Sequence, residues 1–154
     1  MTQEETTEFK NLALKDKSLL KETNPSGASV LQIAVAQGNL DLVKFSIENG
    51  IDVNHQDKKG QTALHYCAEY NQFEIARYVL EHNGKLDISD KFGNEPLWTA
   101  TGNVNRELKG LDIVELFLKN GAHPRHKNNV NKSPWDVAND PFFDPTVELM
   151  KKYA

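Results

Sequence analysis

Gly27, Gly60 and Gly93 stand 33 residues apart, and Asn131 follows 38 residues after Gly93. A fixed period of this length confines the chain to architectures that stack one small unit on the next, because each unit is too short to bury its own apolar face. The stretch "GASVLQIAVAQGNLDLVKFSIENGIDVNHQD" aligns without a gap over "GQTALHYCAEYNQFEIARYVLEHNGKLDISD". A third unit, "GNEPLWTATGNVNRELKGLDIVELFLKNGAHPRHKN", matches once five residues between Gly102 and Lys109 are set aside, the same five by which 38 exceeds 33. A fourth begins "NKSPWDVAND", with Asn131 in the glycine position.

Each unit repeats one physical grammar. A polar segment around Asp57, Asp90 or Asn128 leads into the glycine turn. Ser29, Thr62 and Ser133 then stand where a hydroxyl caps a first helix, and Pro96 and Pro134 fit a first helical position. A turn at Gly38 or Asn71 separates this helix from a second one. The second helix shows its apolar face at Leu42, Val43 and Ile47, at Ile75, Ala76 and Val79, and at Ile113, Val114 and Phe117. It stops at Gly50, Asn83 or Gly121, and "IDVN", "KLDI" and "AHPR" carry the chain back in extended form. Ahead of the first unit, "EFKNLALKDKSLLKETNPSG" predicts one helix with Phe9, Leu12 and Ala13 on a face. It corresponds to the second helix of a unit that lacks its first. At the other end, "DPFFDPTVELMKKYA" replaces the usual turn, with Asp144 and Pro145 as cap and first position of a final helix that carries Val147, Leu149 and Met150.

The pattern resembles the ankyrin repeat, with its period of 33 and its T-P-L-H-x-A motif, here "TALHYC", partly "EPLWTA" and "SPWDVA", and weakly "SVLQIA". The resemblance implies an all-α solenoid of about four helix-turn-helix units with short β-hairpin tips. A capping helix over 1–26 would precede repeats at 27–57, 58–90 and 91–128, and 129–154 would form the closing cap. It also implies a structural His65: Thr62 caps, Leu64 packs, and the imidazole bonds near the helix start and ties neighbouring repeats. Glu95 is a poor capping residue and Trp98 replaces the histidine, so the third unit is expected to start its first helix differently.

Composition narrows the function. The net charge of −4 argues against a general nucleic-acid binder, which needs a basic surface. Lys119, Arg125, Lys127 and Lys132, with no acid between Phe117 and Ser133, make one local basic stretch, read either as a solvated loop or as a phosphate contact. The single cysteine, Cys67, allows no internal disulfide and sits in an apolar helix pattern, which fits a reducing compartment and an inert thiol. The chain shows neither a secretory leader nor a membrane span, so a freestanding cytoplasmic protein is expected. Cofactor and metal motifs are missing: no G-x-S-x-G, H-E-x-x-H, C-x-x-C or phosphate-cradling loop occurs. His123 and His126 straddle Pro124 without a nearby Cys or acid, two donors where a structural zinc needs four.

The expected function is binding of another protein by a monomer, through the concave face and the tips. The positions free for specificity are those that vary between units. On the tips these are Gln56, Lys58, Lys59, Gln61, Lys91, Phe92, Asn94, His126, Lys127, Asn129 and Lys132, joined by His55, Ser89 and Val130. Gln37, Glu69 and Tyr70 lie near the ends of first helices, and Asn103, Asn105 and Arg106 lie on the insertion. Phe92 is either an aromatic anchor or a residue packed on the adjacent hairpin. The insertion is either a longer first helix or a loop at the groove edge, and Arg106 is its first residue to test. A standard interface buries about 800 Å² per partner, within reach of three tips and their helices. Freestanding ankyrin proteins include kinase inhibitors, and bacterial ones include candidate immunity partners of toxins, so an inhibitor or antitoxin is one concrete expectation. The rivals are a small enzyme or metal protein using His65, Cys67 or the His123 and His126 pair, and a nucleic-acid binder using the basic stretch.

Overall fold

The chain folds as two layers of antiparallel helices, described in a computed structural model over residues 1–105, 107–138 and 144–153. Helix α1 (Gln3–Lys15) and a 3-10 turn (Lys17–Lys21) precede four helix pairs. These are α2 (Val30–Ala36) with α3 (Leu40–Glu48), α4 (Ala63–Glu69) with α5 (Phe73–Glu81), α6 (Pro96–Asn103) with α7 (Leu111–Lys119), and α8 (Pro134–Ala138) with α9 (Asp144–Tyr153). First helices stack on first helices, α2 on α4 on α6 on α8; α1, α3, α5, α7 and α9 stack likewise in the second layer.

Between the layers lies one continuous core. The first helices supply Leu31, Val35, Leu64, Cys67, Leu97 and Ala100, and the second supply Leu42, Val43, Ile75, Val79, Ile113 and Phe117. Ile47 is only partly buried, because the buried face of α3 centres on Val43 and Ser46. Ser46 occupies the position of Val79 and Phe117, and its hydroxyl is buried without a partner.

As the sequence implies, α1 packs on α3 as a second-layer helix. Its start differs. Thr2 and Glu5 form a reciprocal cap, so the helix begins earlier and turns Thr6, Phe9 and Ala13 toward α3. The Thr6 hydroxyl accepts from Asn39 Nδ2 at 3.0 Å, and Lys10 pairs with Asp41. Leu12 is 49% exposed, a step round the helix from that face. Residues 139–143, which include the start of the segment read as replacing the usual turn, lie outside the described residues; α9 buries Thr146, Val147 and Met150, with Leu149 half-buried.

The tips are tighter than the β-hairpins that the resemblance implies. In each, one Asn or Asp carboxyl or amide oxygen accepts two backbone N–H groups: Asn24 from Ser26 and Ala28, Asp57 from Lys59 and Gln61, Asp90 from Phe92 and Asn94, Asn128 from Val130 and Lys132. This side-chain bonding closes the turn without a ladder. Successive tips are joined by single backbone bonds, Lys58 N–H to Ser26 O at 3.0 Å, Lys91 to Lys59 at 2.9 Å and Asn129 to Phe92 at 2.9 Å. Among the described residues the one extended pairing is the bridge between Thr23 and Ser29. No helix among them is long and apolar enough to cross a membrane.

Candidate functional site

His65 is fully buried at the start of α4. Nδ1 accepts the Thr62 backbone N–H at 3.0 Å and lies 3.0 Å from the Thr62 hydroxyl. Nε2 lies 3.0 Å from the carbonyl of Asn94, in the next tip. A carbonyl only accepts, so the proton sits on Nε2 and the ring is neutral. Burial holds its pKa below the ordinary histidine value, against the Asn94 bond and the charges of Asp90 and Asp57. Both nitrogens are occupied by the scaffold. Gln32 does the same work one unit earlier: Oε1 accepts from Ser29 N–H at 2.8 Å, and Nε2 donates to Gln61 O at 2.6 Å. In the last unit Asp136 accepts from Ser133 N–H and its hydroxyl, each at 2.8 Å. Two residues along from His65, Cys67 is buried, and burial pushes its thiol far up, away from the nucleophilic thiolate.

The third unit departs from this scheme, as Glu95 and Trp98 foretell. Glu95 stands at the cap of α6 without capping it. Its Oε1 lies 3.3 Å from Nδ1 of His126, while its buried Oε2 has no partner. Nε2 of the same imidazole lies 3.1 Å from Gly93 O. Burial raises the Glu95 pKa, His126 and His123 pull it down, and Asp87 pushes it further up. For a carboxyl group raised in the fold, the unfolded chain loses its proton first. The stabilising contribution is therefore complete below the unfolded value and is lost as pH rises through the folded one. Glu95→Thr installs the capping residue of the second unit and is expected to add about 1 kcal/mol near neutrality. His126, with a side chain 35% exposed, turns to water instead. Urea titrations at about pH 4.5 and about pH 7.5 check this: the advantage must grow with pH, and a less stable variant at the higher pH would show that the pairing with His126 outweighs the cap.

Six of the residues expected to bind a partner come together. Lys58, Lys59, Gln61, Glu69, Lys91 and Phe92, with Asp90, line a groove of about 370 Å³ between the second and third tips and the end of α4. Phe92 is 65% exposed, not packed on a neighbouring tip, and Tyr70 is exposed beside Tyr66, with ring centroids 6.1 Å apart. Lys58 donates to Pro25 O at 2.7 Å. Among the described residues Lys59 and Lys91 have no carboxylate within 4.0 Å.

Other expected residues spend their polar groups on the frame. Gln56 donates to Gly60 O at 2.7 Å and Ser89 O at 3.0 Å, Asn129 to Lys91 O at 3.0 Å, and Asn94 accepts from Asn128 at 2.8 Å. The insertion is both a slightly longer helix and a loop. α6 has 8 residues against 7 in α2 and α4, and then Asn105 accepts from Glu107 and Lys109 N–H to close a turn. Asn103 donates to Ala68 O at 3.1 Å, so the end of α6, where the loop begins, abuts the end of α4. Arg106 lies outside the described residues.

The basic stretch is largely engaged by its own chain. Lys119 pairs with Glu115 at 3.0 Å, Arg125 lies over the Trp135 ring at 4.1 Å, and Lys127 meets Asp136 at 2.6 Å, leaving Lys132 exposed. Among the described residues no group of three or more His, Cys, Asp or Glu is placed to hold a metal. Val130 is 73% exposed at the tip position equivalent to Phe92, a shared register that the repeat spacing makes visible.

A family model described as ankyrin repeats, in three copies, matches residues 11–128. An ankyrin repeat-containing protein of Saccharomyces cerevisiae is 28% identical over 83% of this chain and 80% of its own length. Protein phosphatase 1 regulatory subunit 27 of Mus musculus is 33% identical over 66% of this chain and 62% of its own. An IkB-like protein of African swine fever virus is 30% identical over 86% of this chain and 58% of its own. The chain thus spans less than two thirds of the length of the last two.

Proposed function

We propose that this chain, which belongs to the ankyrin repeat family, works by holding a partner protein against the groove between its second and third tips. Ankyrin repeats are protein–protein interaction modules. The observation that carries the reading is the convergence of Lys59, Lys91 and the exposed Phe92 on one groove, beside an Asp90 carboxylate that is bonded within its own tip. Aromatic anchors flanked by charge suit such recognition. Glu69 and Tyr70 at the end of α4, and Lys132 on the fourth tip, extend the surface.

Binding itself is the activity in this reading, with no chemical step, and blocking an enzyme or a toxin is the form we favour. Relatives named as a phosphatase regulatory subunit and as an IkB-like protein support a role in which the bound partner is regulated. The protein acts as a monomer in the cytoplasm, where the lone Cys67 stays reduced.

Affinity capture from extracts of the source organism tests it. Wild type retains a partner that Phe92→Ala and Lys59→Glu lose by roughly tenfold or more, while the thermal midpoints of both variants match wild type because both side chains are exposed. The purified chain then suppresses the partner's activity. Equal retention by all three proteins would move the site elsewhere.

A further inference from the structure

Ser26, Lys59, Phe92 and Val130 occupy one equivalent position on successive tips. The carbonyls of Ser26, Lys59 and Phe92 each accept the backbone bond that joins one tip to the next, so these residues form a row along the tips that passes the groove at Lys59 and Phe92. Stacked helices sit about 8–10 Å apart, and a polyproline II segment advances about 3.1 Å per residue with three residues per turn, so every third side chain faces the row and meets a new tip. The chemistry changes along the row. The groove is lined by Lys59 on the second tip and Lys91 on the third, while the ammonium group of Lys58, also in its lining, turns onto Pro25 O of the first tip. Asp90 turns its carboxylate back onto Phe92 and Asn94 N–H, leaving Glu69 as the groove's other acid. At the third and fourth tips the row presents Phe92 and Val130, 65% and 73% exposed.

Resting on the binding role proposed above, we infer that the occupant is a polyproline II segment of the partner that places an aspartate or glutamate over Lys59 and Lys91. Apolar side chains three and six residues away meet Phe92 and Val130. Charge complementarity sets the acid, since an unpaired ammonium group in a groove attracts and orients a carboxylate. The exposed apolar pair sets the other two positions, because each loses water contact only when something apolar covers it. The strength of the first contact falls with added salt, while that of the other two does not.

Selection of random twelve-residue displayed peptides on the full chain tests the inference. The enriched peptides are expected to carry Asp or Glu three residues from an aromatic or branched aliphatic residue, with a second apolar residue three further on. A synthetic copy of the best peptide, followed by fluorescence anisotropy, is expected to lose roughly tenfold or more in affinity to Lys59→Glu, Phe92→Ala and Val130→Asp. A copy with its acid changed to lysine regains affinity for Lys59→Glu. No enrichment, enrichment of basic peptides, or peptides that bind all three variants as well as wild type would each overturn it. Peptides that instead depend on Glu69→Lys and Tyr70→Ala would sink this inference while leaving the proposed function standing. A captured partner indifferent to Phe92→Ala and Lys59→Glu, beside peptides of the expected pattern, would sink the proposed site and not the surface chemistry.

Discussion

His65→Ala is expected to cost about 3–5 kcal/mol of unfolding free energy, whereas His65→Gln is expected to cost about 1 kcal/mol or less. Alanine leaves the buried Thr62 N–H without its acceptor and takes from the Asn94 carbonyl one of its two donors, the Asp90 N–H remaining, and it empties the volume of a ring that is fully buried. Glutamine supplies an acceptor and a donor on one side chain, and the protein already uses it so: Gln32 bonds Ser29 N–H and Gln61 O across the first joint. The pair of variants separates the bonding role of the imidazole from its chemistry. A catalytic histidine would fail equally in both, with stability untouched. The same pair predicts a pH signature. The folded pKa of His65 lies below the unfolded one. The neutral ring's contribution is therefore complete above the unfolded value of about 6.5 and is lost as pH falls below it toward the folded value. Urea titrations from about pH 7.5 to about pH 5 should show wild type losing stability relative to His65→Gln. A constant difference between them would mean that the ring protonates as easily in the fold as outside it.

The repeating frame was legible because it rests on local chemistry that leaves marks at fixed intervals. The Asn or Asp that closes each tip, the glycine three residues on and the capping hydroxyl are each needed once per unit, so their spacing alone reveals the stacking. The groove was partly legible for the same reason. Lys58, Lys59, Lys91 and Phe92 vary while the frame does not, and they prove to share one concavity. Variation misled where different side chains solve one structural problem in different ways. Gln56 and Asn129 differ between units and read as free for a partner, yet both bond the backbone of a tip. His126 reads the same way, and its ring lies between Gly93 O and Glu95. Such bonds depend on distances between units, which periodicity does not encode. Leu12 shows a second kind of error. With Thr6, Phe9 and Ala13 on the face of α1 toward α3, its side chain lies a step round the helix, in water.

Gly93→Ala is expected to destabilise the protein by about 2–5 kcal/mol, and Gly50→Ala by about 1 kcal/mol. Both glycines adopt positive φ, 77° and 86°, so both substitutions carry the strain of a left-handed residue. They differ in what a methyl group would meet. At Gly50 nothing lies within 4 Å, while at Gly93 the added carbon would fall 2.5 Å from Asn129 Oδ1 and 2.8 Å from its backbone nitrogen. That nitrogen donates the bond joining the third tip to the fourth, through Phe92 O. Relief therefore means prying the two tips apart, and with them the row of Phe92 and Val130. The last tip supplies the control within the chain itself. Asn131 holds the equivalent position at φ 58°, with a side chain, and among the described residues no further tip stacks against it. If stacking rather than backbone strain is what reserves these positions for glycine, Asn131→Gly should change stability by less than about 1 kcal/mol. Denaturant titrations of the three variants decide the matter: a Gly93→Ala midpoint no lower than that of Gly50→Ala would show that the tips yield without cost and that the close approach between units does not constrain the fold.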